Sequence, residues 1–401
     1  MTDDMQPTIA GPEGETHRHI KILELAAVGI AFKTILKDLI EALAAHDYDL
    51  TIVCSDGPYA AELRQAGYRV KTIPIRRNLN VFRHLITLAQ LYAFIKKERF
   101  DIVHTHTPVA SFLGRIAARL ARTPAIVNTV HGFYFHEDMH AVVRKALIAL
   151  ERFVGRFTDL TFSVSSEDVE TAIRERICRA DRIMVVGNGV DLRKFDPRSI
   201  EPERRRIRDE LGLPQGAAVV GAVGRLVREK GFVELVQAMP RVLEVEPQAR
   251  LVIVGDALPS DRRSVKERLL ELVESLKLND KVVFTGLRYD MPELLSAMDL
   301  FVLPSYREGM PLVLLEAMAM ARPAVATRVR GCREVVVDGE TGILVPPREV
   351  PVLADAIVRL LVDKELARRM GVAGRKRVEE RFDRDVVIVK QLDALARLVS
   401  S

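Results

Sequence analysis

Two carboxylates and a set of cations stand at spacings that suit a ligand with hydroxyls at its ends and phosphates between them. In the run Pro304-Ser305-Tyr306-Arg307-Glu308-Gly309-Met310-Pro311-Leu312, Gly309 frees the backbone and Pro311 suits the first turn of a helix. N–H groups over Gly309, Met310, Pro311 and Leu312 (proline itself lacking one) lie at the positive end of that helix, where an anion is favoured. Glu308 precedes the helix, and Glu316 follows about 1.5 turns into it. Its neighbours from Leu312 to Met320 are apolar, so a lone glutamate there is costly to bury without a partner. Upstream, Gly224-Arg225-Leu226 and Arg228-Glu229-Lys230-Gly231 follow an apolar run. Glycines permit a tight turn, and Arg with Lys offers positive charge to a diphosphate. The loop is neither a Walker loop nor the Gly-x-Gly-x-x-Gly fingerprint, and alone it reads equally as a solvated charged turn. Taken together, the groups fit a nucleotide sugar. Each carboxylate accepts from a pair of hydroxyls, while the amides, Arg225 and Lys230 take the diphosphate.

The elements that must hold these residues read as an α/β protein. Strand candidates in the first half are Ile20–Ala27, Asp49–Cys54, Arg69–Ile75, Phe100–Thr105, Ala125–Val130, Leu160–Val164 and Arg182–Val186. Amphipathic stretches separate them, such as Phe32, Ile35, Leu36, Leu39, Ile40 and Leu43 at helical spacing. The pattern breaks over Asp191–Pro214, with Asp196-Pro197 and Arg204-Arg205-Arg206. It reopens with strands at Ala217–Val223, Arg250–Gly255, Lys281–Thr285, Leu300–Leu303, Ala324–Thr327 and Gly342–Val345. Two doubly wound domains are expected, 1–195 and 196–383, with a last helix over 384–401 free to pack back on the first. Ligands bind such sheets at the carboxyl ends of their strands, so the chemistry belongs in the cleft between the halves.

The paired glutamates within Pro-Ser-x-x-Glu-Gly-x-Pro-x-x-x-x-Glu-Ala resemble the motif of the retaining family 4 glycosyltransferases, which have the GT-B fold of two facing Rossmann-like domains. Val223-Gly224-Arg225-Leu226-x-x-x-Lys230-Gly231 resembles that family's diphosphate loop. Asn188-Gly189-Val190-Asp191 with Phe195 resembles its interdomain segment, and Gly331-x-x-Glu334 followed by Gly339-x-x-Gly342-x-x-Val345 resembles its C-terminal run. The likeness spans residues 20 to 380. It implies that Arg225 and Lys230 hold the diphosphate, Glu316 the ribose hydroxyls and Glu308 the transferred sugar. It also implies phosphate contacts from Gly309, Met310, Pro311 and Leu312, with Gly286, Leu287 and Arg288 against the base and Gly255 and Asp256 bordering the pocket. His131, in Thr129-Val130-His131-Gly132-Phe133, looks like the family's histidine at the donor sugar, where it is expected to donate a hydrogen bond or steady developing positive charge. His104 and His106 are expected on the acceptor side. Zinc is the poorer reading there, on the expectation that these two histidines point to opposite faces of their strand and that no third ligand is evident. Many relatives have a Gly-Gly pair after the first strand. This chain has Ala26-Ala27-Val28-Gly29-Ile30, so only Gly29 can fill that role.

Composition sets the remaining bounds. The chain has 401 residues, 48% of them apolar and 29% charged, which excludes a mostly disordered protein. A net charge of +5 is no nucleic-acid signature. Cys54, Cys178 and Cys332 form no paired motif and read as reduced thiols of a cytoplasmic protein. No signal peptide or membrane span is visible, so contact with a membrane would be peripheral. Residues 64–100, however, hold nine Lys or Arg against one acid, interleaved with Val81, Phe82, Leu85, Ile86, Leu88, Leu91, Tyr92 and Phe94. That is the composition of a helix lying on anionic lipid, and equally of a core-packed helix with a basic outer face. The expected activity is transfer of a hexose from a nucleoside diphosphate to a hydroxyl. The expected acceptor is a polyprenyl-diphosphate-linked glycan in capsule or exopolysaccharide synthesis, and no metal is required. The alternatives on the same fold are a nucleotide-sugar epimerase, a phosphorylase and a non-catalytic nucleotide-sugar binder.

Overall fold

The computed structural model describes residues 19–46, 48–76, 80–136, 139–257 and 264–400. The polar lead and Arg77 of the basic stretch lie outside the described residues. Seven strands, β1 (Ile20–Leu25), β2 (Tyr48–Cys54), β3 (Arg69–Thr72), β4 (Ile102–Thr105), β5 (Ala125–Val130), β6 (Leu160–Ser163) and β7 (Ile183–Val185), form a parallel sheet in the order β3-β2-β1-β4-β5-β6-β7. Six more, β8 (Val219–Val223), β9 (Arg250–Val254), β10 (Val282–Gly286), β11 (Leu300–Leu303), β12 (Ala324–Thr327) and β13 (Ile343–Val345), form a second parallel sheet in the order β10-β9-β8-β11-β12-β13. These are the runs expected from the sequence, within three residues at their ends. They are legible because parallel strands are buried on both faces and read as continuous Val/Ile/Leu runs. Two parallel-sheet α/β lobes of this kind make up the GT-B fold.

Strand order turns at β1/β4 in the first sheet and at β8/β11 in the second. Such switch points leave a crevice at the carboxyl ends of the strands. The loops after Leu25, Thr105, Val223 and Leu303 open into these crevices, and they carry Gly29, His106, Arg225, Lys230 and Glu308.

The segment expected to break the pattern is instead the helix Pro197–Glu210. Its run of arginines is amphipathic in effect. Ile207 is buried, and the buried Arg208 bonds Asp299 Oδ2 at 2.7 Å and the Ala297, Gln215 and Ala217 carbonyls. Arg204 takes the other carboxylate oxygen of Asp299 at 2.5 Å. Within a segment expected only to break the pattern, Arg204 and Arg208 are therefore the pin that fastens this helix to the second lobe. The last helix, Arg384–Ser400, crosses back to the first lobe, where Leu395 is buried with Leu39, Ile40 and Leu43. Its entry is fixed by Val190 N–H to the Phe382 carbonyl at 2.8 Å and by Arg384 to Asp191 at 2.7 Å. No helix among the described residues is long and apolar enough to cross a membrane.

The lobes meet through charge and backbone. Glu334 of the second lobe accepts from Ser166 N–H at 2.8 Å, Glu167 N–H at 3.3 Å and the Ser165 hydroxyl, so it caps the helix Ser166–Arg174 of the first lobe. A carboxylate at a helix N-terminus is favoured by both the free amides and the dipole. Arg333 to Glu167 at 2.6 Å and Arg330 to Asp168 at 2.5 Å extend the contact.

Candidate functional site

A cavity of about 480 Å³ lies between the lobes, in the size range of small-molecule sites. His131, Gly132 and Asp168 line it from the first lobe, and Arg225, Lys230, Glu308 and Gly309 from the second. Lys230 Nζ donates to Glu308 Oε1 at 2.6 Å, so the expected diphosphate cation and sugar carboxylate stand beside each other. The loop that carries Lys230 is braced from within. Arg228 is spent on Glu234, at 2.9 and 2.7 Å, while Tyr306 N–H donates to the Glu229 carbonyl at 2.8 Å. Gly231 adopts φ +71°, and a Cβ there would stand 2.0 Å from the Pro304 carbonyl oxygen. Only glycine lets the two loops close to this distance.

The helix Leu312–Ala319 begins after Pro311, as expected. Glu316 is largely enclosed, with no hydrogen bond to its carboxylate among the described residues. Burial pushes its pKa up to about 7, Lys194 pulling down and Asp38 adding to the rise. The folded chain thus binds this proton more tightly than the unfolded chain, whose carboxyl titrates at about 4.5. The penalty for burying the charge is absent below pH 4.5 and complete above pH 7. Glu316→Gln should therefore raise Tm over the parent by a few degrees at pH 8 and hardly at all at pH 4, since about 1 kcal/mol moves Tm by roughly 2–4 °C for a unit the size of one lobe. A melting-temperature difference equal at both pH values would contradict this.

The loops at the ends of β8, β9 and β10 stand side by side. Gly224 N–H donates to Val254 O at 2.9 Å, Leu226 N–H to Asp256 O at 3.2 Å and Gly255 N–H to Gly286 O at 2.9 Å. Gly255, Asp256, Gly286, Leu287 and Arg288 form this rim and do not line the 480 Å³ cavity. Arg288 is held by Asp290 and Glu210, each at 2.5 Å, and Asp256 by Lys266 at 2.8 Å. Neither Met310 nor Pro311 lines that cavity. Met310 instead receives the Asn188 side-chain amide on its carbonyl at 2.7 Å. Leu312 lines a smaller cavity of about 50 Å³ with His106 and His131. Gly29 lies at neither; a Cβ there would stand 3.0 Å from Tyr59 Cβ, so this glycine serves packing against the helix Pro58–Gln65.

His104 and His106 do not diverge. Residues two apart on a strand share a face, and both rings meet Glu24 of β1, His104 Nδ1 at 2.9 Å and His106 Nε2 at 2.6 Å. The third group that the zinc reading lacked is therefore present, with all three ligand atoms within 4.8 Å of one another. The contacts to Glu24 are hydrogen-bond lengths, shorter than the roughly 3.3 Å between two ligands of a tetrahedral ion bound at about 2.0 Å. The trio is a buried hydrogen-bond network. His106 Nδ1 continues it to His131 Nε2 at 3.2 Å. Burial and His106 push His131 down to about 3, so its imidazole is neutral at physiological pH.

Asp168 escaped the sequence reading. It is fully buried, yet it lines the cavity, and its Oδ2 has no hydrogen-bond partner among the described residues. Burial raises its pKa, against the pull of Arg330. The signal was Ser165-x-x-Asp168 after a strand, a capping box. Asp168 does not reach back to cap the helix; its other oxygen meets Arg330 across the cleft.

Known proteins decide what this arrangement belongs to. Residues 33–194 match the model of Glycosyltransferase Family 4, and residues 203–377 that of Glycosyl transferases group 1. A UDP-Gal:alpha-D-GlcNAc-diphosphoundecaprenol alpha-1,3-galactosyltransferase of Escherichia coli is 31% identical over 96% of this chain and 97% of its own. The chain belongs to the family 4 glycosyltransferases. The capsular polysaccharide biosynthesis glycosyltransferase CapM of Staphylococcus aureus is 28% identical over 92% of this glycosyltransferase and 94% of its own length. Anabaena HepE, solved in complex with UDP and glucose, superposes with a TM-score of 0.81 at 26% identity, covering 94% of this chain and 100% of that one.

Proposed function

We propose that this glycosyltransferase moves a hexose from a nucleoside diphosphate to a hydroxyl of a lipid-linked glycan, with retention at the anomeric carbon, at the inner face of the cell membrane. The observation that carries this reading is the Lys230–Glu308 pair at 2.6 Å, set in one cavity with Arg225 and His131. Arg225, Lys230 and the amides around Gly309 neutralise the departing diphosphate, the charge that develops in the transition state. Glu308 holds the transferred sugar and Glu316 the ribose hydroxyls. The rim of Gly255, Asp256 and Gly286–Arg288 receives the base. No carboxylate is assigned as a covalent nucleophile. The acceptor attacks on the face the phosphate leaves, and the phosphate takes its proton, so no metal is required. Asp168, with a free oxygen on the first-lobe wall, suits an acceptor hydroxyl. The names of the E. coli and S. aureus relatives support a lipid-diphosphate acceptor and a role in capsule or related polysaccharide synthesis. Thermal-shift titration with UDP-, GDP- and ADP-sugars, followed by transfer from the best donor to membrane lipid extracts, tests the reading. A chain that binds none of them, or hydrolyses a donor without transferring it, would defeat it.

The membrane part of this proposal rests on one face of the first lobe. The helix Val81–Glu98 turns Leu91 and Ile95 into the core but leaves Val81, Phe82 and Leu85 exposed at 70%, 72% and 57%. Helix Pro108–Ala121 packs between it and the helix Ala141–Gly155, which leaves Val142 exposed at 69%, together with Val143 and Phe153. Arg76 just before helix Val81–Glu98, Arg83, Lys96 and Lys97 on it, and Lys145 on helix Ala141–Gly155 are exposed as well. Exposed apolar side chains and cations on the same helices fit an anionic bilayer surface. Phe82→Glu combined with Leu85→Glu should weaken binding to phosphatidylglycerol vesicles by about tenfold or more, from two lost apolar insertions. Transfer to a soluble acceptor analogue should stay unchanged. Unaltered vesicle binding would return this face to ordinary surface.

A further inference from the structure

Glu24, His104, His106 and Thr129 are all buried, and none of them, the two histidines expected on the acceptor side included, lines the 480 Å³ cavity. The network they form reaches the 480 Å³ cavity through the ring of His131, while Thr129 and His106 line the 50 Å³ cavity beside it. The network's atoms fix where the protons lie. Glu24 faces two ring nitrogens, His104 Nδ1 at 2.9 Å and His106 Nε2 at 2.6 Å. Burial alone would raise its pKa, but His104 and His106 outweigh burial and lower it to about 2. An ionised carboxylate only accepts hydrogen bonds, so both facing nitrogens carry protons. His106 is itself neutral at physiological pH, since burial and His104 push it down to about 4 against the pull of Glu24. With Nε2 protonated and the ring neutral, its Nδ1 is a bare acceptor. The group 3.2 Å away, His131 Nε2, must then be the donor. His131 is neutral too, so its own Nδ1 is left without a proton. That nitrogen makes no hydrogen bond to any described residue, and the ring lines both the 480 Å³ and the 50 Å³ cavities.

We propose that Glu24 and His106 are positioning residues that lock His131 in its Nε2-protonated tautomer, so that the ring meets the sugar through Nδ1 as a hydrogen-bond acceptor. This deepens the donor-site reading above and rests on it for the identity of the partner, a sugar hydroxyl that donates. The sequence expectation left two roles open, donating a hydrogen bond or steadying developing positive charge, and a bare Nδ1 fits the second of them. A carboxylate behind one imidazole orients it, and orienting the second ring through the first extends the same logic by one step. The device suits a transition state in which positive charge grows at the anomeric carbon, because a bare nitrogen is attracted to that charge and an N–H is not.

The test uses the full-length protein labelled with nitrogen-15 in histidine. Long-range proton–nitrogen correlation spectra at pH 7 should show His131 protonated at Nε2 and bare at Nδ1, the signal being assigned with His131→Asn. Glu24→Gln keeps the volume but supplies an amide that can donate as well as accept. It should give mixed His106 and His131 tautomers and lower kcat by about tenfold or more, by analogy with loss of a second-shell partner, while KM for the nucleotide sugar holds. If the variant unfolds, the wild-type spectrum alone still decides. A His131 protonated at Nδ1 or on both nitrogens would overturn the proposal, as would a Glu24→Gln protein with unchanged tautomers and unchanged kcat. The spectrum needs no substrate, so absence of transfer activity would count against the proposed function and leave the tautomer result standing.

Discussion

Lys230→Ala and Glu308→Ala, each still folded, should lose transfer by about 100-fold or more, the usual cost of removing a group aimed at charge that develops in the transition state. The two should fail differently. In the proposed site Lys230 is the cation that meets the diphosphate, and its removal leaves Glu308, about nine-tenths enclosed at 11% exposure, as an unpaired carboxylate at the cavity wall. A weaker diphosphate contact and a repelled phosphate then act together, so KM for the donor rises as kcat falls. Glu308→Ala leaves the lysine free to bind diphosphate and removes the hold on the sugar. Here kcat falls and nucleoside diphosphate binding persists or tightens. Steady-state kinetics with calorimetric titration of the nucleoside diphosphate separate the two. Wild-type turnover in both variants would remove the pair from the reaction.

Gly309→Ala should be nearly as damaging without touching any charged group. The lobes approach each other here backbone to backbone, and a Cβ on Gly309 would stand 2.2 Å from the His131 carbonyl oxygen. A Cβ on Gly132 would lie 3.0 Å from Gly309 Cα, and one on Gly331 1.9 Å from the Gly309 carbonyl oxygen. No side-chain rotation relieves a clash between main-chain atoms, so the lobes must part by about an ångström or more. That separation draws His131 away from Glu308, and misplacement on this scale costs on the order of 100-fold. Each lobe keeps its own sheet and core, so Tm should fall by only a few degrees. Small-angle scattering should report a larger radius of gyration. An alanine variant with wild-type kcat/KM would show that this approach is not required for transfer.

The strands were readable because a buried parallel sheet writes itself as short Val, Ile and Leu runs, and the glycine loops because their spacing punctuates those runs. Glu316 stood out as a charge inside an apolar helix, and Glu308 by its place just before that helix. What stayed hidden depends on groups far apart in the chain. Glu24 looked like one polar residue in β1, and only the β1–β4 register, which sets Glu24 opposite His104, reveals its role. The two histidines were expected on opposite faces although a strand of period two puts them on one. The role of Arg208 was not visible because its acceptors, Asp299 and three carbonyls, belong to other elements or to later turns. Asp168 has the spacing of a cap, and its turn toward Arg330 is a property of the closed cleft.

The central claim is that the Lys230–Glu308 cavity transfers a sugar and keeps its anomeric configuration. Proton NMR of the product formed from the best nucleotide-sugar donor and a lipid-diphosphate glycan acceptor measures this directly. The account predicts a product whose new linkage has the anomeric configuration of the donor, formed by wild type and absent with Glu308→Ala. A product of inverted configuration, or one formed equally by the Glu308 variant, would contradict it.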